Sequence, residues 1–147
     1  MVTLSHAIEI KAPAAKIWEV LWNPGTYTEW TRFFSEGSQY RSDWKVDGRT
    51  YFLDASGGNG MVSTIESLRE PYEVVFKHLG LITEGVEDIH SREVMEWSGA
   101  QEKYFLTELE GFTKLVGEVQ TAEMYEQHMR TGFEKGFEVV KELAERL

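Results

Sequence analysis

The sequence predicts an α+β fold in which a curved antiparallel sheet of about six or seven strands wraps around one long C-terminal helix, with two short helices after the first strand. Three observations predict it. An apolar stripe repeats at helical spacing through the end of the chain, hairpin signals divide the middle, and one alternating segment followed by two helical stripes opens it. Since hairpins join antiparallel strands, the long helix has a concave sheet face against which it can bury its stripe.

The first elements are one strand and two short helices. Residues 3–11 alternate between apolar and polar side chains, which is typical of a half-buried strand. Pro13 suits the first turn of a helix, and an apolar stripe over residues 14–22 continues that helix. Asn23 then caps a second helix over residues 24–30, which begins with a proline.

Two chain reversals divide the middle of the sequence into strands. The first carries the hairpin signal Asp47-Gly48, and the second is the glycine-rich stretch 56–60. Residues 50–55, 61–69 and 72–79 are rich in tyrosine, phenylalanine, valine and isoleucine, so each is predicted to be a strand.

The second half of the sheet contains an irregular segment and a last hairpin. Residues 80–100 carry several charges and predict a loop or lid that holds one helical turn. Residues 102–109 and 112–120 form the hairpin, and a two-residue turn between them places Tyr104 opposite Gly117.

The last segment, residues 121–147, is predicted to be one amphipathic helix. Its apolar stripe consists of Tyr125, Met129, Gly132, Phe133, Gly136, Val140, Leu143 and Leu147. Each glycine costs roughly 1 kcal/mol against alanine inside a helix. Gly132 and Gly136 therefore either let a neighbouring element come close or leave room for something else.

Composition restricts the class of protein. The length of 147 residues suits a single domain spanning 1–147. The net charge of −10 argues against nucleic acid and anionic membrane as partners. The chain has no cysteine and opens without a basic and apolar leader, so we expect a cytoplasmic location without disulfides. No stretch approaches the roughly 20 apolar residues that a membrane helix needs.

Several runs resemble a known family. Residues 12–24, APAAKIWEVLWNP, resemble the opening pattern of START-like helix-grip (SRPBCC) proteins. The branch named after the C-terminal domain of the heat-shock ATPase activator (AHSA type) resembles this chain more closely, in WKVDG at 44–48, GMV at 60–62 and GF at 136–137. The resemblance implies the helix-grip fold. It leaves function open, because members include lipid carriers, hormone receptors, cyclases and co-chaperone domains. Two departures are His78, where the branch often has an aromatic residue, and the long connection 80–99.

A set of mostly aromatic side chains is predicted to face the space between sheet and helix. The predicted ligand-binding residues are Trp30, Phe34, Tyr51, Phe76, His78, Tyr104, Leu115, Tyr125 and Met129. Together they describe an apolar pocket with a few hydroxyl or imidazole groups, as small-ligand sites usually are. The alternative is that each ring simply fills the core. Leu106 and Val119 also point inward in this register.

Functional motifs are few. Glu87, Asp88, His90 and Glu93 match no metal-binding spacing and are interpreted as a solvated acidic loop, so we expect neither metal nor cofactor. The leading hypothesis is a non-catalytic domain that binds a small apolar molecule. The alternatives are a polyketide cyclase-like or hydrolase-like enzyme that uses His78 and Tyr104 as acid and base, and a module that acts on a chaperone ATPase.

Overall fold

The computed structural model describes residues 1–146 and confirms the α+β fold. Its strands are β1 (Val2–Ile10), β2 (Gln39–Ser42), β3 (Thr50–Leu53), β4 (Gly60–Arg69), β5 (Glu73–Thr83), β6 (Val86–Asp88), β7 (Gln101–Leu109) and β8 (Phe112–Thr121). Its helices are α1 (Ala14–Trp22), α2 (Pro24–Thr31), α3 (Arg92–Met95) and α4 (Glu126–Glu145), with a 3-10 turn (Glu123–Tyr125) before α4. Leu147, the last member of the predicted stripe, lies outside the described residues. None of the helices in 1–146 has the length and apolar character needed to cross a membrane.

The eight strands form one sheet in the order β1-β8-β7-β5-β4-β3-β2, with β6 paired to β5. All the strand pairs are antiparallel. Register shifts interrupt β4 between Val62 and Ser63 and between Ile65 and Ser67. Because bulges bend a strand and increase its twist, these two shifts curve the sheet towards the helices.

One edge of β5 changes partner along its length. Residues 73–77 pair with β7, whereas residues 81–83 pair with β6. His78 lies between these two stretches, where its backbone N–H donates to the carbonyl of Ala100 at 2.8 Å. The chain leaves the sheet between β6 and β7 to form α3, and the backbone of His78 bridges the two stretches because its carbonyl also accepts from the N–H of Gly99 at 2.8 Å.

The glycines of α4 permit close approach and do not leave a void. A Cβ added at Gly132 would lie 2.4 Å from Cε1 of Phe34, and one at Gly136 would lie 2.6 Å from the carbonyl oxygen of Trp30. Both distances are far below normal contact. At Gly136 the neighbour is backbone, so only glycine lets α2 lie directly on α4, whereas at Gly132 an added Cβ would displace the ring of Phe34.

Local expectations in the first part of the chain are confirmed. Asn23 caps α2 by accepting from the backbone N–H of Gly25, and α1 covers residues 14–22 as predicted. In the last hairpin, Tyr104 pairs with Gly117 across a two-residue turn. The missing Cβ of Gly117 also makes room for the ring of Phe137, whose Cζ would approach it to 2.7 Å.

Three boundaries differ from the prediction. Strand β5 runs to Thr83 and does not end at residue 79, because Gly80 lets the carbonyl of Asp88 come close; a Cβ there would lie 2.0 Å from that oxygen. Helix α4 begins at Glu126 and not at Thr121, because Thr121 pairs with Val2 at the end of β8. The Asp-Gly turn lies within the longer connection 43–49 and does not make a tight hairpin.

Candidate functional site

One half of the inner face is filled by aromatic rings. Trp22 lies at the centre, with its ring centroid 5.1 Å from that of Tyr104, 5.4 Å from Trp44 and 5.5 Å from Phe76. Its indole Nε1 is buried and has no hydrogen-bond partner among residues 1–146. Farther along, the C-terminal part of α4 closes the same core with buried Phe137 and other apolar side chains. We call this part of the inner face the closed half.

The other half of the inner face contains two adjoining hollows, and we call it the open half. The larger hollow has a volume of about 490 Å³ and lies between α2, β3, β4, β7 and the first turns of α4. The smaller hollow, of about 420 Å³, lies beside His78, where β5 changes partner. Both hollows are lined by Met61, Glu102, His128 and Met129.

Six aromatic rings line the larger hollow. They belong to Tyr27, Trp30, Phe34, Phe52, Tyr104 and Phe133. Trp30 is held by its indole N–H, which donates to the carbonyl of Leu21 at 3.0 Å. The ring of Phe34 lies edge-on to that of Phe133 at 5.1 Å, so α2, the segment after it and α4 together form an aromatic wall.

A chain of four polar side chains joins β4, β5 and β7 beside the hollows. The Tyr104 hydroxyl donates to Oε2 of Glu102 at 2.5 Å, and His78 Nε2 lies 3.2 Å from Oε1 of the same carboxylate. The other imidazole nitrogen, Nδ1, lies 2.7 Å from the hydroxyl of Ser63. With one imidazole proton, placed on Nε2, Ser63 donates to His78 and His78 donates to Glu102. The chain therefore ends at one carboxylate, which collects both donors.

The carboxylate of Glu102 influences the phenols around it. Burial raises the pKa of Tyr104 well above its usual value, and the nearby charge and hydrogen bond of Glu102 raise it further. Burial and then Glu102 likewise raise the pKa of Tyr27. Both phenols therefore keep their protons, and Tyr104 acts as a donor.

Most of the predicted site residues lie at the hollows. Trp30, Phe34 and Tyr104 line the larger hollow, His78 and Tyr125 line the smaller one, and Met129 lines both. His78 is buried, whereas Tyr125 is half exposed in the 3-10 turn before α4.

Three predicted residues lie elsewhere. Phe76 and Leu115 are fully buried in the main core and line neither hollow. Leu106 is also buried in this core and lines neither hollow. Tyr51 is on the other face of β3, where its hydroxyl donates to Glu87 at 2.8 Å. The assignment of Tyr51 to the inner face is corrected accordingly. Successive residues of a strand face opposite sides, so its neighbour Phe52 takes the inner position.

The most important residue that the sequence reasoning missed is Glu102. Alternation through Leu106 and Tyr104 places Glu102 on the same inner face, so a signal was available in the strand register. Because carboxylates are seldom buried, a glutamate at the start of a strand is normally assigned to the surface, and Glu102 was missed for this reason. Phe52 and Met61 were missed because apolar residues occupy both faces of β3 and β4.

The charged segment after β5 has local structural roles. Asp88 accepts the backbone N–H groups of His90 and Ser91, which lowers its pKa. Within residues 1–146, no group of three or more histidine, aspartate or glutamate side chains could hold a metal ion. At the other side of the hollows, exposed His128 donates from Nε2 to the carbonyl of Phe34 at 2.9 Å and so links α4 to the segment after α2.

Comparison with known proteins identifies one family. The profile of the family described as "Activator of Hsp90 ATPase homolog 1-like protein" matches residues 11–147. This match confirms the resemblance indicated by the sequence motifs. No protein among the curated sequences matches the chain significantly.

Solved structures of low sequence identity share the fold. The Aha1 dimer from Colwellia psychrerythraea is 19% identical, with a TM-score of 0.70, 99% of this chain covered and 97% of that chain. Protein MLL2253 from Mesorhizobium loti is 16% identical, with a TM-score of 0.71 and coverages of 97% and 96%. DynU16, from the dynemicin biosynthetic locus, is 12% identical with a TM-score of 0.66; 95% of this chain is covered, but the chain spans only 46% of the length of DynU16.

Proposed function

This chain belongs to the Activator of Hsp90 ATPase homolog 1-like family, and on that premise we propose that it binds a small, largely apolar molecule in the two hollows without transforming it. The observation that carries the proposal is the larger hollow, with about 490 Å³ of space lined by six aromatic rings and with a short polar chain at one side. Ligand sites usually have roughly 300–1,000 Å³ of mostly apolar space with a few well-placed polar groups.

The side chains that separate the two hollows suit an adaptable ligand. Met61 and Met129 are partly buried and line both spaces. Unbranched thioether side chains change rotamer at little cost and accommodate irregular apolar shapes. A ligand longer than the larger hollow can therefore extend past them towards His78.

A ligand screen combined with a blocking variant tests this function. Purified protein is analysed by native mass spectrometry for co-purified molecules and by thermal shift against lipophilic metabolites. Met129→Trp fills the space between the hollows, so we expect it to abolish both signals, because a bound ligand raises the melting temperature only if it has room to bind.

The matched control introduces the same ring on the opposite side of the same helix. Glu138 is exposed on α4, so Glu138→Trp should leave ligand binding unchanged. A protein that carries nothing and responds to no compound would contradict the proposal, as would binding that survives Met129→Trp.

A second candidate function is acid–base catalysis in the same hollows. The observation that favours it is the buried contact between His78 Nε2 and Glu102 Oε1 at 3.2 Å, with Tyr104 bonded to the same carboxylate. A carboxylate that orients an imidazole is a frequent arrangement in general base catalysis. Ser63 contacts Nδ1 but is fully buried, so a substrate in the hollows does not reach its hydroxyl.

His78→Ala distinguishes the two candidate functions. An enzyme acting on a polyketide-like substrate should lose turnover while its affinity changes by only about threefold, because general acid–base groups act mainly in the transition state. Turnover that persists in His78→Ala removes His78 from the mechanism. Binding without turnover in the native protein favours the first function.

Two further expectations remain predictions. Action on a chaperone ATPase follows from the family description alone, and a pull-down with an ATPase assay that shows no stimulation would reject it. A cytoplasmic location is compatible with the cysteine-free sequence, and fractionation of the source cells would test it.

A further inference from the structure

In the described part of the chain, the larger hollow is lined by carboxylates and by no lysine, arginine or chain terminus, whereas the N-terminal residue Met1 lines the smaller hollow. The lining carboxylates are those of Glu102 and Asp54. An apolar ligand that also carries a charge must find its counter-charge in this lining, since buried charges need partners. The composition of the lining therefore constrains the charge of the ligand.

Glu102 has unused capacity to accept hydrogen bonds. A carboxylate offers about four lone-pair positions on its two oxygens. Tyr104 and His78 each occupy one of them, and the side chain of Glu102 remains 19% exposed where it lines both hollows. A ligand donor can therefore reach this carboxylate without displacing either protein donor.

The second carboxylate is ionised. Hydrogen bonds from Ser56 and Asn59 lower the pKa of Asp54, with the Ser56 hydroxyl as the largest cause. Burial raises the pKa of both Tyr27 and Tyr104, and the charge of Glu102 raises both further.

The two lining histidines have most of their hydrogen-bonding capacity occupied. His78 uses both ring nitrogens, one towards Ser63 and one towards Glu102. His128 uses Nε2 to hold the carbonyl of Phe34. Neither arrangement resembles the forked donor sets that bind carboxylates.

The aromatic lining completes the environment. Trp30, Phe34 and Phe52 present rings to the larger hollow. The faces of such rings carry partial negative charge and attract cations. The carboxylate of Glu102 and the aromatic rings therefore both favour a positively charged ligand.

Resting on the proposed function, we propose that the hollows select amphipathic amines: the apolar part of the ligand occupies the ring-lined space and its ammonium group donates to Glu102. A neutral donor such as a hydroxyl binds less tightly in the same position. A molecule of the same shape that carries a carboxylate is rejected from the larger hollow, because it meets Glu102 and Asp54 there without a lysine or arginine to compensate.

A matched series of probes tests the inference. Naphthylethylamine, naphthylethanol and naphthylacetate share one ring system and differ mainly in the polar group, and their affinities are measured by titration calorimetry at neutral pH. We expect the amine to bind about tenfold or more tightly than the acetate, since hydrogen bonds to charged groups contribute about that much. Glu102→Gln should reduce the preference to within about threefold.

The control removes the same charge from the other face of the sheet. Glu118 pairs with Lys103 at 3.4 Å, next to Glu102 along the hairpin but facing outward. Glu118→Gln should leave the preference within about twofold, because exposed charges are screened. A second variant, Met129→Lys, places a cation in the lining and should reverse the preference, which keeps the test valid if Glu102→Gln does not fold.

The outcomes separate this inference from the function beneath it. Naphthylacetate binding as tightly as the amine overturns the inference and leaves ligand binding intact. An amine preference that survives Glu102→Gln also overturns it. If none of the three probes binds and the ligand screen also detects no binding, both the proposed function and the inference are overturned.

Discussion

The closed and open halves of the inner face differ although the same helix covers both. Over the closed half, α4 contributes fully buried Phe137 and Val140 above continuously paired strands. Over the open half it contributes partly buried Met129, above the place where β5 changes partner. Aromatic residues are abundant in both halves, so the number of bulky side chains does not decide where space remains. The two halves differ instead in the side chains that α4 supplies, which are buried rings and valine over the closed half and an adaptable methionine over the open half.

The largest expected effect compares two truncations on α4. Phe137→Ala should lower the free energy of unfolding by about 3–5 kcal/mol, because the truncation leaves a cavity that the tightly packed closed half cannot fill. Met129→Ala should cost only about 1 kcal/mol, since its side chain already borders empty space and alanine is a good helix former. Chemical denaturation of both variants measures the difference. Equal costs would show that the open half is packed as tightly as the closed half.

An intermediate effect is expected from the two glycines of α4. Gly136→Ala pushes a Cβ against the backbone carbonyl of Trp30, which cannot move independently of α2. We expect a net loss of about 1–2 kcal/mol, since overpacking outweighs the gain in helix propensity. Gly132→Ala meets the ring of Phe34, which is partly buried beside the larger hollow and can turn into it.

Gly132→Ala should therefore be nearly neutral for stability but weaken ligand binding. Parallel denaturation and ligand titration of the two alanine variants check this contrast. Gly132→Ala costing as much as Gly136→Ala would contradict it.

The smallest effect concerns a phenol of the closed half. The Tyr40 hydroxyl donates to the carbonyl of Trp22, and burial raises the pKa of Tyr40 to about 12. The folded state therefore keeps this proton above pH 10, where an unfolded chain releases it. Fewer bound protons in the unfolded state mean that stability falls as pH rises through this range.

Tyr40→Phe should cost about 1 kcal/mol at neutral pH, the value of one hydrogen bond. It should also reduce the loss of stability between pH of about 10 and about 12. Denaturation at several alkaline pH values measures this loss for both proteins. An unchanged alkaline slope in Tyr40→Phe would contradict the assignment.

Prediction from sequence was most accurate where local chemistry decides structure. The cap at Asn23 and the hairpin that pairs Tyr104 with Gly117 depend on residues close in the chain, and both are confirmed. The boundaries at Gly80 and Thr121 failed because strand pairing decides them: the next strand, β6, approaches Gly80, and the distant strand β1 pairs with Thr121. Tyr51 was placed on the wrong face because apolar residues flank it on both sides and do not specify a register.

The amino-acid pattern by itself determined the α+β class, the order of elements, the family and most of the aromatic lining, since these follow from periodicity, turn residues and local motifs. Tertiary structure alone decided that Gly132 and Gly136 admit α2, that β5 changes partner beside His78, and that Glu102 receives two donors. Each of these features joins residues far apart in the chain. Their positions depend on how separate elements pack, and no local pattern encodes that.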